Sequence, residues 1–425
     1  MLQVHEIREH LEAYTKALAK RGLAAKTDLQ DILEIDEKRR STQASLDETL
    51  AQSNTFSKEI GMLFKNGETQ KANLLKEKTT QLKERSKTLN ETLNETVTLL
   101  ESKLYNLPNI PHESVPAGTD ENDNEEVFRE GDIPTLEDTA LPHWELAKKY
   151  DLIDFELGVK VTGAGFPVYK GKGARLQRAL ITYFLDKNTE AGYTEYQVPH
   201  LVNEASGFGT GQLPDKEGQM YHVTADDLYL IPTAEVPVTN IHADEILDED
   251  SLPINYTASS ACFRREAGSY GKETRGLLRV HQFNKVEMVK FVRPEKSYDE
   301  LEQLLANAEA ILQSFGLHYR VLELCTGDLS FSAAKCFDLE IWSPAEKQWL
   351  EVSSCSNFED FQARRGNIRY RRFNDNKTDY VHTLNGSGVA TPRLMIALLE
   401  SYQTPDGKVI IPKCLQPYME TEVLG

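Results

Sequence analysis

Helical spacing of apolar residues dominates the first quarter of the chain. No proline occurs from Leu29 to Leu104, and apolar residues recur there at intervals of three and four. The one strong turn signal in this stretch is Lys65-Asn66-Gly67-Glu68. The pattern therefore predicts two long helices that fold back on each other as an antiparallel hairpin.

The two limbs of this hairpin differ in how regularly they keep the a and d positions of a heptad repeat. The outgoing limb has polar residues at several of these positions, and its predicted apolar seam consists of Leu29, Ile32, Leu46, Leu50, Ile60 and Phe64. The return limb keeps the spacing for about four heptads, at Ala72, Leu75, Thr79, Leu82, Ser86, Leu89, Leu93, Thr96 and Leu100. Limbs of about 35 to 38 residues would extend on the order of 50 to 60 Å. Such an arm is too thin to enclose an active site, and dimerisation is the commoner use of such heptads.

The rest of the chain predicts a different architecture. The helical arm, residues 1–108, ends at the proline-containing run Leu107-Pro108-Asn109-Ile110-Pro111. An acidic extended linker is expected over residues 109–141. A second domain is expected at residues 142–425. Its helical patterns, at 172–191, 297–315 and 392–402, are too few for a doubly wound parallel sheet. We therefore expect an α+β fold with a mixed, mainly antiparallel sheet flanked by helices.

Composition narrows the class of protein. The formal net charge of −19 argues against nonspecific adhesion to nucleic acid, because lysine and arginine supply most of that affinity; an RNA partner would have to meet local patches. The five cysteines show no close pairing, which indicates reduced thiols. The N-terminus has charges where a signal peptide needs an apolar run, and no stretch reaches the length of a membrane span. We expect a cytoplasmic protein without a membrane partner.

The chemistry-bearing residues concentrate in a predicted strand, turn and returning strand between Cys262 and Glu287. In the returning strand Arg279, His281, Phe283, Lys285 and Glu287 share one parity, whereas Val280, Val286 and Met288 share the other. A solvated outer face would explain the charges alone. An aromatic side chain flanked by cations can instead stack on a base while Arg264 and Arg279 bind phosphate, and the terminal carboxylate can hold an ammonium group.

A second block lies near the C-terminus, where His382-Thr383-Leu384-Asn385-Gly386-Ser387-Gly388 is followed by Thr391-Pro392-Arg393. The pattern predicts a strand that enters a helix, with Thr391 as its cap and Pro392 in its first turn. A guanidinium beside a helix N-terminus favours phosphate binding, which makes Arg393 a candidate phosphate ligand.

These blocks resemble the motifs of the class II aminoacyl-tRNA synthetases. Residues 262–287 are similar to motif 2 in its seryl form, residues 382–402 to motif 3, and residues 173–199 to motif 1, which forms a homodimer interface in that family. The resemblance to seryl-tRNA synthetases covers nearly the whole chain, because further family blocks occur at 208–214, 230–237, 351–357 and 360–365.

The resemblance implies roles for individual residues. Serine would be held by Thr233, Glu235, Glu287 and Ser387, with Ala234 lining the site. ATP would be contacted by Arg264, Arg265, Glu266, Val280, Phe283, Glu351, Val352, Ser353, Ser354 and Arg393. Among these, Arg264 and Arg393 would be the catalytic cations, and Glu351 and Ser354 would bind Mg²⁺, a cation that prefers oxygen ligands.

The activity implied is ATP-dependent activation of L-serine and its transfer to the 3′ end of tRNA(Ser), and also of tRNA(Sec), by a homodimer. The family's arm grips tRNA, which favours that use over dimerisation. Two alternatives stay open: a class II paralogue that loads a small amino acid on a carrier protein, and a tRNA-binding scaffold without catalysis. The intact Arg264, Glu287, Glu351 and Arg393 argue against the scaffold.

Overall fold

The computed structural model describes residues 1–137, 139–266 and 275–424. The chain divides into two compact units, one of residues 2–108 and the other of residues 109–425 together with Met1. In the described ranges, no helix combines the length and the apolar character that crossing a bilayer requires.

The N-terminal unit consists of helices. They are α1 (Val4–Glu9), α2 (Leu11–Lys20), α3 (Lys26–Lys65) and α4 (Thr69–Tyr105). Gly67 lies in the turn between α3 and α4 at a φ of +79°, a conformation that glycine adopts without steric cost. The predicted antiparallel hairpin is therefore confirmed, with limbs of 40 and 37 residues.

Burial along the hairpin follows the predicted seam on α4 but departs from it on α3. Every predicted seam residue of α4 is buried or half-buried. On α3, Leu50 and Phe64 are exposed, whereas Thr49 is buried. The prediction was wrong for Leu50 and Phe64 because polar residues interrupt the outgoing repeat, so its apolar residues do not fix which of two adjacent positions faces α4.

The second unit combines helices and strands. Its helices are α5 (His143–Lys149), α6 (Phe155–Val161), α7 (Gly171–Glu190), α8 (Glu204–Thr210), α9 (Glu235–Thr239), α10 (Ser297–Phe315), α11 (Phe361–Gly366), α12 (Thr391–Ser401) and α13 (Gln416–Met419). Its strands are β1 (Glu125–Glu130), β2 (Ile153–Asp154), β3 (Val168–Tyr169), β4 (Thr194–Tyr196), β5 (Leu201–Val202), β6 (Tyr221–Val223), β7 (Leu228–Leu230), β8 (Ile246–Asp248), β9 (Ile254–Phe263), β10 (Gln282–Val292), β11 (Tyr319–Glu323), β12 (Lys335–Ser343), β13 (Gln348–Asn357), β14 (Arg369–Arg371), β15 (Thr378–Tyr380), β16 (His382–Ala390), β17 (Val409–Ile410) and β18 (Val423–Leu424).

Eight strands of the described residues form the main sheet, in the order β1-β11-β12-β13-β16-β10-β9-β4. Neighbouring strands are antiparallel, except that β4 runs parallel to β9. The expected α+β fold with a mixed, mainly antiparallel sheet is confirmed. The segment expected as linker, residues 109–141, contributes β1 to the edge of this sheet.

The two faces of the sheet carry different side chains. On β10, Val286, Met288 and Val292 belong to the large apolar core that includes side chains of α7, α10 and α12. Val289 and Phe291, of the opposite parity, belong to a smaller apolar cluster with Ala234 of the α9 N-terminus and Ala363 of α11. The functional side chains of β10 share this second parity.

Candidate active site

A cavity of about 600 Å³ opens beside β10, β13 and β16 in the second unit. Phe283 and Lys285 line it from β10, Ser354 and Ser356 from β13, and Ser387 from β16. These strands are hydrogen-bonded neighbours in the sheet, so residues far apart in sequence meet on one surface. Neighbouring strands present a rigid wall of polar side chains.

The β9–β10 hairpin places an aromatic ring and a cation at this wall. Phe283 lies opposite Cys262 in the antiparallel register, and the Arg264 guanidinium lies 5.3 Å from the centre of the Phe283 ring. In the described part of the chain Arg264 makes no ion pair, and its Nε donates to the Pro232 carbonyl at 3.4 Å. Its positive charge is thus open to an anionic group in the cavity. Residues 267–274 of the glycine-rich turn lie outside the described residues.

The predicted parity of the returning strand holds from Phe283 onward. Before β10 begins at Gln282, the chain is irregular: Arg279 and Val280 both line the cavity. His281 instead stacks on Phe166 with ring centres 5.3 Å apart. The prediction that Val280 points away from Arg279 was therefore wrong, because alternation applies only within an extended strand.

A buried carboxylate, that of Glu287, contacts the cavity-lining residues Thr233 and Lys285, and we call this region the inner end of the cavity. Thr233 Oγ1 donates to Glu287 Oε2 at 2.7 Å, and the Lys285 ammonium pairs with the same oxygen. Glu287 is 1% exposed, and its Oε1 has no hydrogen-bond partner among the described residues. An unpaired buried carboxylate oxygen costs free energy, so this atom is poised to accept a hydrogen bond from a cationic or hydroxyl group.

Glu235 is a second buried carboxylate, and it lines the cavity. Its Oε1 accepts a hydrogen bond from Gln362 Nε2 at 2.7 Å. Burial, and then the charge of Glu287, raises the pKa of Glu235 to about 7. The inner end of the cavity therefore holds two acidic groups in unlike surroundings.

At another part of the cavity wall Arg393, in the first turn of α12, meets Glu351 of β13. Arg393 Nη1 donates to the Glu351 carbonyl at 2.9 Å and lies 3.4 Å from Glu351 Oε2. Ala390 is the N-cap of α12, and Pro392 lies in the first turn as predicted. The predicted cap, Thr391, was wrong: its hydroxyl donates to the Asn284 carbonyl instead.

The structure brings most of the predicted site residues to one cavity. Those that line it are Thr233, Glu235, Arg264, Glu266, Val280, Phe283, Glu351, Val352, Ser354, Ser387 and Arg393. Four others lie differently. Glu287 is bonded to the lining residue Thr233, Ala234 is in the smaller apolar cluster, and Arg265 is exposed. The buried Ser353 hydroxyl donates to the Ser387 carbonyl.

The sequence reasoning assigned no ligand role to three polar residues of this region. Lys285 and Asn385 line the cavity, and Gln362 reaches it through Glu235. The parity of β10 had placed Lys285 on the functional face, and Gln362 lies within the family block at 360–365. No sequence signal paired Gln362 with Glu235, because 127 residues separate them along the chain.

Glu351 and Ser354 present the oxygen atoms that Mg²⁺ prefers, and both line the cavity. Across the strand pair, Asp338 lies opposite Ser354, and burial followed by the charge of Glu351 raises the pKa of Asp338 well above its ordinary value. The described residues contain no group of three His, Cys, Asp or Glu side chains that could hold a metal by itself. The donor set therefore fits a cation that takes its other ligands from phosphate and water.

Comparison with known proteins places this cavity in a recognised domain. Residues 221–402 match the family model of the tRNA synthetase class II core domain (G, H, P, S and T). Residues 1–111 match the family model of the seryl-tRNA synthetase N-terminal domain. The fold is thus that of a class II tRNA synthetase core.

Full-length relatives narrow the class. The chain is 50% identical over 418 residues to the serine–tRNA ligase of Salinibacter ruber, with 98% of each chain covered. It is 51% identical over 433 residues to that of Chloroherpeton thalassium, with 100% of each covered. The seryl-tRNA synthetase of Pyrococcus horikoshii, solved in complex with ATP, superposes with a TM-score of 0.91 at 38% identity over 100% of this chain and 99% of the other. This chain belongs to the seryl-tRNA synthetase family.

Proposed function

We propose that this protein is a serine–tRNA ligase, which activates L-serine with ATP and transfers the seryl group to the 3′ end of tRNA(Ser). The observation that carries the proposal is the single cavity in which an acidic inner end, at Thr233, Glu235 and Glu287, adjoins a wall with Arg264, Phe283 and Arg393. Members of the family are described as serine–tRNA ligases, and one was solved with ATP bound.

In the first step, a serine carboxylate oxygen attacks the α-phosphorus of ATP, the bond to the β-phosphate oxygen breaks, and pyrophosphate leaves. No protein nucleophile takes part. Arg264 and Arg393 would neutralise the charge that develops on phosphate oxygens, while Phe283 stacks on adenine. Glu351 and Ser354 would hold Mg²⁺, which when bound neutralises phosphate charge. Catalysis rests on positioning and electrostatics.

Serine would bind at the acidic inner end. Glu287 Oε1, which has no partner in the described part of the chain, and the buried Glu235 present acceptors for the ammonium and hydroxyl groups of serine. A site built to hydrogen-bond a hydroxyl rejects an analogue that lacks it by roughly 10⁴-fold, because its polar groups are then left unpaired. Alanine should therefore be a very poor substrate. The extra methyl group of threonine is opposed only by steric exclusion, a weaker filter.

In the second step, the terminal ribose hydroxyl of tRNA attacks the acyl carbon of seryl-adenylate and AMP leaves. We propose that the helical arm, residues 1–108, binds tRNA, and we extend the proposal to tRNA(Sec).

A homodimer through motif 1, residues 173–199, is part of this proposal. The cytoplasm is the proposed location.

ATP–pyrophosphate exchange tests the activation step. We expect exchange that requires serine and Mg²⁺, with alanine and glycine reduced by roughly 10⁴-fold in kcat/KM. Exchange driven equally well by glycine or alanine would remove the assignment of serine as the substrate.

A further inference from the structure

Gln362 connects the acidic end of the cavity to two other elements. It lies in the block Asp360-Phe361-Gln362-Ala363-Arg364-Arg365, to which the proposed reaction assigns no role. Its side chain is 1% exposed. A polar side chain buried to this degree is retained at a cost unless its hydrogen bonds are made.

Among the residues that the structure describes, the Gln362 amide makes three hydrogen bonds, and all three lead to buried groups. Nε2 donates to Glu235 Oε1 at 2.7 Å and to the Thr210 carbonyl at 3.2 Å. Oε1 accepts a hydrogen bond from the Thr383 hydroxyl at 2.8 Å. The three partners belong to α9, α8 and β16, so one side chain joins three elements.

This arrangement admits one orientation of the amide. If the amide turned over, its oxygen would face the Thr210 carbonyl, which has no proton to donate. The donating nitrogen is therefore held toward Glu235. Glu235 Oε1 is engaged with this nitrogen, and Asn385 also hydrogen-bonds the carboxyl group, so both amides hold Glu235 in place where it lines the cavity.

The hydrogen bond from Gln362 to the Thr210 carbonyl also affects the cavity wall. Thr210 ends α8, and Gly211, Gln212 and Pro214 beyond it line the cavity. The Thr210 carbonyl also accepts a hydrogen bond from Ser332 at 3.1 Å. Gln362 thus holds this part of the cavity wall and Glu235 at a fixed separation.

We propose that Gln362 is a positioning residue for serine, which acts by fixing the Glu235 carboxylate against the cavity wall at Thr210. The inference rests on the proposed function. The proposal assigns no contact between Gln362 and either substrate. None of the three hydrogen bonds of Gln362 is made to a residue proposed to bind ATP.

Gln362→Met tests this role, because methionine fills a similar volume and makes none of the three hydrogen bonds. In serine-dependent ATP–pyrophosphate exchange, we expect the KM for serine to rise about tenfold or more, while the KM for ATP changes by less than about twofold. Equal rises in both KM values, or an unchanged KM for serine, would overturn the proposal.

Two further variants separate a positioning role from the general effect of losing the hydrogen bonds of a glutamine side chain. Gln403→Met is the control, because the half-buried Gln403 also makes three hydrogen bonds among the described residues, to Leu141 and Glu400, and lies outside the cavity. It should leave the KM for serine unchanged. Thr383→Val removes only the hydroxyl that holds Gln362 Oε1, so we expect the same selective effect at a smaller size. A Thr383→Val enzyme with a normal KM for serine would contradict the proposal even if Gln362→Met failed to fold.

The pH profile supplies a readout that a merely structural role would not move. Burial raises the pKa of Glu235 most and the charge of Glu287 raises it further, whereas the hydrogen bond from Gln362, the charge of Lys285 and the hydrogen bond from Asn385 lower it. Without the Gln362 donor the pKa of Glu235 rises, so the limb of kcat/KM for serine that reports Glu235 should shift to higher pH in Gln362→Met. An unshifted limb would contradict the role. Wild-type protein without serine-dependent exchange would instead refute the proposed function.

Discussion

Glu287 combines features rarely found together in a side chain that serves packing alone. It is buried, it is paired with Lys285 and Thr233 through one oxygen, and its other oxygen has no partner in the described residues. Lys290, a buried lysine on the same strand, forms an ion pair with the half-buried Glu300 at 2.6 Å. The two pairs allow a binding role to be distinguished from a structural one.

We predict that Glu287→Gln weakens serine binding far more than ATP binding. Glutamine keeps the shape but loses the charge, and loss of a charged hydrogen bond costs about 2 kcal/mol or more, or roughly thirtyfold in the dissociation constant. Calorimetric titrations with each ligand measure the effect. Glu300→Gln also leaves a buried lysine unpaired and should change neither constant. If both constants rose together in Glu287→Gln, the carboxylate would not be a serine ligand.

The raised pKa of Glu235 predicts that the stability of the fold depends on pH. This pKa is about 7 in the folded chain against an ordinary value of 4.5, so the fold favours the neutral form. Stability is lost as pH rises from about 4.5 to about 7, by at most about 3 kcal/mol. Glu235→Gln removes this loss. The free energy of unfolding of the variant relative to wild type, measured with denaturant, should therefore be greater at pH 8 than at pH 5. If this difference were the same at both pH values, the raised pKa of Glu235 would be contradicted.

At the residue scale, strand parity and motif spacing predicted which side chains of β10 lie on the functional face of the sheet. Phe283, Lys285 and Glu287 lie on the expected face because β10 is a regular strand there. Ala234 and Ser353 instead lie in the interior. Their orientation depends on a turn and on a neighbouring strand, which spacing in the sequence does not encode. The contact between Gln362 and Glu235 likewise depends on how α11 packs against α8 and α9.

At the scale of elements, the sequence predicted the buried seam of the helical hairpin correctly on the limb whose apolar repeat is regular, and less well on the other limb. On α4 the repeat is regular and its seam is confirmed. On α3 the seam is defined by the partner helix, so Leu50 was misplaced. The strand β1 was not foreseen because its burial pattern is exposed throughout, and an edge strand of this kind lacks the alternation that marks strands in sequence.

The arm's dimensions suit recognition of RNA at a distance. With 40 and 37 residues, α3 and α4 extend about 60 and 55 Å. Basic residues on it are interleaved with acids, as in the pairs Lys71–Glu68 and Lys87–Glu91. A-form helices are recognised by shape and backbone, so we expect a contact of modest charge that weakens with salt.

We predict that removing Thr27 to Leu104 and bridging the ends leaves adenylate formation intact but raises the KM for tRNA by about tenfold or more, the effect of roughly 1.4 kcal/mol of lost contact. Exchange and charging assays on the truncated protein measure the two steps. Its mass in solution should be that of a dimer. A monomeric product would show that the arm is a dimerisation element, and normal charging would show that it is dispensable.

For the whole molecule, the distribution of charge matters more than its sum. A net charge of −19 would repel RNA if it were spread evenly. It is concentrated partly in the acidic segment 120–126, within the stretch expected as linker. The combination of an acidic chain with a long arm therefore favours a selective RNA contact over general affinity for nucleic acid.

Charging of tRNA(Ser) with labelled serine tests the central claim most directly, because it requires the cavity and the arm to act in one reaction. With wild-type protein, ATP and Mg²⁺, we predict acid-precipitable seryl-tRNA whose initial rate of formation falls by more than about tenfold when Glu287→Gln is assayed at a serine concentration near the wild-type KM. The account would be contradicted if serine-dependent exchange occurred without any seryl-tRNA, and above all if the seryl group appeared on a carrier protein instead.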